Sequence, residues 1–216
     1  SSDVCSSDLM DLIAQRQRAL GSNLANMDTP GYVRRDIDFS QYSSRYDKFK
    51  KGIVLPAFDK KMAGGALMDL GIYNINFVTG LFGKPKGIAY FPNMVKGIDT
   101  SGVLVLDYGK FKVNAICAKD CRAPLNVCIQ GDLGFIHSAD ASSVISRFDY
   151  TDNEGKVKEY ALNKNSEVSH YHEYAVFKDL VNHMDLEKAM EYNQQTLLSI
   201  KVLEKALKSA GIDFKR

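Results

Sequence analysis

The chain has 216 residues, 45% of them apolar and 25% charged, with a formal net charge of +2. This suits one domain, or one domain with an appendage, and provides neither the basic stripe of a nucleic-acid binder nor a long acidic tail. No run of about 18 uncharged apolar residues marks a membrane span, and no basic-then-apolar start marks a signal peptide. Four cysteines, Cys5, Cys117, Cys121 and Cys128, without a secretory signal, read as reduced cytoplasmic thiols rather than a disulfide framework.

Residues 1–9 are polar and without periodicity. They read as a translated sequencing adapter and are set aside like a tag; the alternative is a natural polar N-terminus. Residues 10–39 form a second block. Met10, Ile13, Gln17, Leu20, Leu24 and Met27 follow alternating steps of three and four. That is a coiled-coil-like stripe with one polar break, at Gln17. Asp28-Thr29-Pro30-Gly31 ends the helix, because proline removes a donor and glycine permits a turn. So short a helix needs a partner to be stable. The string Ser22-Asn23-Leu24-Ala25-Asn26 with Thr29-Pro30-Gly31-Tyr32 and Arg35-Asp36-Ile37-Asp38-Phe39 resembles the N-terminus of flagellar basal-body rod proteins. That resemblance implies pairing with a C-terminal helix, and the chain's last helix is a poor match for one.

From about Ser40 the character changes. Gly87–Asn93, Val103–Asp107, Lys112–Cys117, Asn126–Gln130, Gly134–Ser138, Ser146–Tyr150 and Glu159–Leu162 read as strands. Turn residues at 97, 108, 131 and 152 separate them. Short connections without a helical period predict an antiparallel sheet. Two helices close the chain. Tyr174, Phe177, Leu180, Val181 and Met184 line one face of the first. Asp185 is the predicted N-cap of the second, which carries Met190, Leu197, Ile200, Leu203 and Leu207 on one face and stops at Gly211. The expected class is α+β: an open antiparallel sheet packed on helices, with an N-terminal helical appendage and no Rossmann domain.

The sharpest constellation is Gly64-Gly65-Ala66-Leu67-Met68-Asp69-Leu70-Gly71-Ile72-Tyr73. On a helix, Asp69 and Tyr73 at i and i+4 share a face. A carboxylate there can orient a phenol, which needs a cation or cofactor nearby to act as a proton donor at neutral pH. Spacing alone favours a structural pair, with Asp69 capping or bridging and Tyr73 a half-buried aromatic.

The string resembles the Gly-Gly-x-Leu-x-Asp-x-Gly-x-His/Tyr motif of the glucose–fructose oxidoreductase, inositol dehydrogenase and rhizopine-catabolism family. Leu81-Phe82-Gly83-Lys84-Pro85, Gln130-Gly131-Asp132-x-Gly134-Phe135-Ile136 and the closing helices are similar too, so the resemblance spans roughly residues 40–216. It implies an NAD(P)-dependent oxidoreductase acting on a hydroxyl of a sugar, cyclitol or diol. Tyr73 would be the catalytic acid/base, Asp69 its positioning partner and Asn76 a substrate contact. It also implies a possible homo-oligomer through the sheet face, and no nucleic-acid or membrane partner. Family members begin with a dinucleotide-binding domain bearing a glycine-rich phosphate loop and a catalytic Glu-Lys-Pro lysine. Neither Gly-x-Gly-x-x-Gly nor Glu-Lys-Pro occurs in these 216 residues. The expectation is a catalytic and substrate-binding half without its NAD or NADP site, inactive alone.

No metal site is expected: Cys117, Cys121 and Cys128 are too widely spaced for structural zinc, and His170-x-His172 reads as solvated. Gly80–Lys84 lacks the P-loop spacing. The competing reading is a flagellar rod subunit in the basal body, with rod partners. It requires a long coiled coil joining the termini. Whether the join is a natural fusion or an assembly artefact stays open.

Overall fold

The structure, a computed structural model, describes residues 45–121, 124–162 and 171–213. The predicted helix over residues 10–27 lies outside them. The chain divides into two compact units, Ser1–Lys51 and Gly52–Arg216. Of the first, the short helix α1 (Arg45–Lys50) is described; Lys50 pairs with Asp47 at 2.7 Å.

The second unit opens with two 3-10 turns, Pro56–Phe58 and Lys60–Met62, then a π-helical turn, Leu67–Gly71, that runs directly into α2 (Ile72–Phe82). Seven strands follow: β1 (Gly87–Val95), β2 (Ile98–Asp107), β3 (Lys112–Ala118), β4 (Val127–Gly131), β5 (Gly134–Ser138), β6 (Arg147–Asp152) and β7 (Val157–Ala161). Helices α3 (Tyr171–His183) and α4 (Leu186–Ser209) close the chain.

All seven expected strands are present and every pairing is antiparallel. They form two open sheets, β1-β2-β3 and β4-β5-β6-β7, where the sequence suggested one. The break follows β3, where Pro124 has no N–H for a ladder. β2 also begins earlier than expected. The β1–β2 hairpin turns on Lys96 and Gly97 alone, with φ of 49° and 81°. Two successive positive φ angles suit the right-handed twist of a two-residue hairpin. Ile98, Asp99 and Thr100 therefore belong to the strand and are buried.

The core lies against one face of the first sheet. Tyr90, Leu104, Leu106, Ala115 and Cys117 face inward and meet Leu67, Ile75 and Val78 from the π-turn and α2. Val202, Leu203, Ala206 and Leu207 complete it from the C-terminal half of α4. A polar seam fixes α2 to α4: Ser199 Oγ donates to Asn76 Oδ1 at 3.0 Å, and Gln195 Nε2 donates to Thr79 Oγ1 at 2.9 Å. The far end of α2 is held by Tyr108, whose hydroxyl donates to the Gly83 carbonyl at 2.9 Å, with Phe82 and Phe111 packed beside it.

The α4 caps are as expected. Asp185 accepts from the Lys188 N–H, and Gly211 has φ +67° just past the end. The predicted apolar faces differ. Leu203 and Leu207 are buried, but Leu197 and Met190 are exposed, as are Tyr174, Phe177 and Val181 on α3 and Met184 just after it. Their periodicity is helical, yet the described residues do not cover them.

Candidate functional site

The start of α2 is set by glycines that leave no room for a side chain. A β-carbon at Gly64 would come within 2.6–2.8 Å of the backbone of Pro56, Ala57 and Asp59. One at Gly65 would fall on Asp99 Oδ1, and one at Gly71 would lie 2.7 Å from Leu67 Cδ1. Close packing, rather than an unusual φ, selects glycine at all three.

Asp99 is 1% exposed. Its Oδ2 accepts from the Leu67 N–H at 2.7 Å and from the Tyr90 hydroxyl at 2.8 Å. The carboxylate thus caps the π-turn from within the core, satisfying a helix N–H that has no partner of its own. Asp99 Oδ1 is buried without a hydrogen-bond partner, a costly arrangement that the two bonds on Oδ2 must offset. Burial, reinforced by Cys117 and Asp99, pushes the Tyr90 phenol far above its ordinary range. Burial likewise pushes the Cys117 thiol up to about 11.

Asp69 and Tyr73 are presented outward from this anchored start. The Asp69 side chain is 43% exposed and Tyr73 is 53% exposed. The π-turn widens the helix beneath Asp69, and its carboxylate pairs with Lys119 rather than with the phenol: Lys119 Nζ lies 2.9 Å from Asp69 Oδ2. Among the described residues the Tyr73 hydroxyl has no hydrogen-bond partner, so it is open to a ligand. Next to it, Asn74 Nδ2 donates to the Ile116 carbonyl at 3.1 Å, and Ser142 Oγ donates to Asn74 Oδ1 at 2.6 Å. The β5–β6 loop is therefore tied beside Tyr73. Asp140 organises that loop by accepting from the Ser146 N–H and hydroxyl at 2.8 and 2.7 Å. Asn76, one turn further on, is exposed with its Oδ1 bound to Ser199 on α4.

Sequence reasoning singled out Asp69 and Tyr73 but missed Lys119 and Asp99. Lys119 reads as an ordinary charge after a strand, and Asp99 sits in what looked like a turn. The motif glycines do not fit dinucleotide phosphates. A phosphate loop needs glycine backbone open to the ligand, whereas Gly64, Gly65 and Gly71 are closed against protein atoms. None of the described helices is long and apolar enough to cross a membrane.

Comparison with known proteins fits this division. The chain is 32% identical over 184 residues to scyllo-inositol 2-dehydrogenase (NADP(+)) IolU of Bacillus subtilis (strain 168), covering 84% of this chain and 56% of that one. Most of this chain is a homologue of the glucose–fructose oxidoreductase and inositol dehydrogenase family. This oxidoreductase homologue spans about half the length of its curated relative. An oxidoreductase of Bacteroides fragilis NCTC 9343 shares its fold at a TM-score of 0.50 and 17% identity, over 67% of this chain and 51% of that one. At the N-terminus, residues 10–32 match the family model for flagella basal body rod proteins. A 33-residue stretch is 61% identical to flagellar basal body rod protein FlgB of Yersinia enterocolitica, covering 15% of this chain and 24% of that one. The oxidoreductase homologue is thus joined to a rod-protein segment.

Proposed function

We propose that the chain from about Ser40 onward is the substrate-facing half of an NAD(P)-dependent oxidoreductase acting on a hydroxyl of a sugar, cyclitol or diol. The observation that carries this is Tyr73, exposed and unpartnered among the described residues, one helical turn from an ion-paired Asp69. Tyr73 Oη exchanges a proton with the substrate hydroxyl or carbonyl. Asp69 Oδ1, on the carboxylate's other side from Lys119, accepts a hydrogen bond from a substrate hydroxyl or from Tyr73. Asn76 contributes its Nδ2, since its Oδ1 is committed to Ser199. The dinucleotide would be held by a companion domain, because the motif glycines offer it no cradle.

Titration of the purified chain with scyllo-inositol, followed by amide chemical shifts, tests this. Perturbation centred on residues 69–76 is expected, and its absence sinks the reading. The 216-residue chain alone should not turn over NAD(P)H with any sugar or diol; robust turnover would refute that.

The same reading includes a self-association face. Phe91, Val103 and Ile116 are direct cross-strand neighbours on the side of the first sheet away from the core. They are 63%, 36% and 69% exposed. An apolar row of this kind suits pairing with a second copy. A cytoplasmic setting belongs to the proposal. The rod-subunit alternative, with its flagellar setting, draws support from residues 10–32 alone, and the strand-rich second unit does not favour it.

A further inference from the structure

We propose that Lys119 is a positioning residue that holds the Asp69 carboxylate aimed for substrate; this rests on the function proposed above. Lys119 follows β3, and its backbone N–H continues the β2–β3 ladder by donating to the Thr100 carbonyl at 2.7 Å. Its side chain is 5% exposed. The ammonium has three donors, and each has a destination. One meets Asp69 Oδ2 at 2.9 Å and one the Ala57 carbonyl at 2.6 Å. The third direction is taken by the Phe58 ring, whose centroid lies 4.7 Å from Nζ. The short 3-10 turn Pro56–Phe58 thus builds a socket for one cation under α2.

A buried ammonium left unpaired is strongly unfavourable, so the socket fixes where the carboxylate paired with it among the described residues, Asp69, must sit. With Oδ2 occupied, Asp69 turns Oδ1 outward on a half-exposed side chain. A carboxylate oxygen held in this way can take a substrate hydroxyl without first being reorganised. A surface aspartate of the same exposure would be free to rotate away.

The test is a double-mutant cycle on scyllo-inositol binding by the full chain, read by amide chemical shifts, with Lys119→Met, Asp69→Asn and the double variant. Lys119→Met should weaken binding about tenfold, and Lys119→Arg should keep it within about threefold. In the Asp69→Asn background, Lys119→Met should cost nothing further, because the lysine acts only through Asp69. Equal losses from Lys119→Met in both backgrounds would overturn the proposal, as would unchanged binding in Lys119→Met. If Lys119→Met does not fold, the Arg variant decides: a loss as large as that of Asp69→Asn, at unchanged melting temperature, overturns it. A wild-type chain that shows no response to the polyol defeats the functional reading itself, and this inference with it.

Discussion

A β-carbon at Gly65 would occupy the place of Asp99 Oδ1, and neither partner can move without breaking the cap on Leu67. Gly65→Ala should therefore cost about 3 kcal/mol or more in a urea unfolding series. Gly80 makes the contrast. It lies inside α2, and an added β-carbon would meet only Gln195 Nε2, at 3.7 Å. Gly80→Ala should stabilise by about 0.5–1 kcal/mol. Both titratable neighbours of Asp99 shift the same way. Cys117 is raised from 9.0 to about 11, and Tyr90 is raised as well. A raised folded-state value contributes stability that is complete below the unfolded value and lost as pH climbs through the folded one. The urea midpoint should fall between about pH 9 and 11, Cys117 contributing on the order of 3 kcal/mol. Cys117→Ala should flatten that fall. At this scale Asp69 and Tyr73 were singled out by the motif's resemblance to a family, since spacing alone favoured a structural pair. Asp99 and Lys119 were not, because each meets the motif only through tertiary contact.

The strands were readable because alternation survives in the β1–β3 sheet: Tyr90, Leu104 and Ala115 point in while Phe91, Val103 and Ile116 point out. Lys96-Gly97 hid the start of β2, since lysine is not a usual residue for a position with positive φ. Nothing in the residue pattern announced the π-turn, which depends on the Asp99 cap and the glycine contacts around it. Both closing helices have the apolar spacing of buried helices, yet among the described residues only the C-terminal half of α4 enters the core. Hydrogen exchange should separate them. Amides of α2 and of Val202–Leu207 should exchange slowly, and those of α3 should exchange at least 100-fold faster. Equal protection across α3 and α4 would show that α3 is covered in solution.

Gly52–Arg216 carries its own core and all seven strands. Expressed without the first 51 residues, it should melt cooperatively, as measured by circular dichroism. The division between a rod-protein segment and an oxidoreductase homologue was legible because two unrelated motifs stand side by side in the sequence. The split into two sheets was not, since hydrogen-bond partners across a break leave no mark in alternation. Three glycines without room for a methyl group, a buried carboxylate and a buried ammonium all bear on the π-turn and the first turn of α2. Ser142 and the β5–β6 loop touch the same helix from outside, through one hydroxyl contact. Tolerance to substitution should thus be uneven around Tyr73, low at the packed base of the helix and higher in the loop. On the function proposed above, a lineage built on this half would acquire a new polyol by changing the loop sequence while the Asp69–Tyr73 face stayed in place.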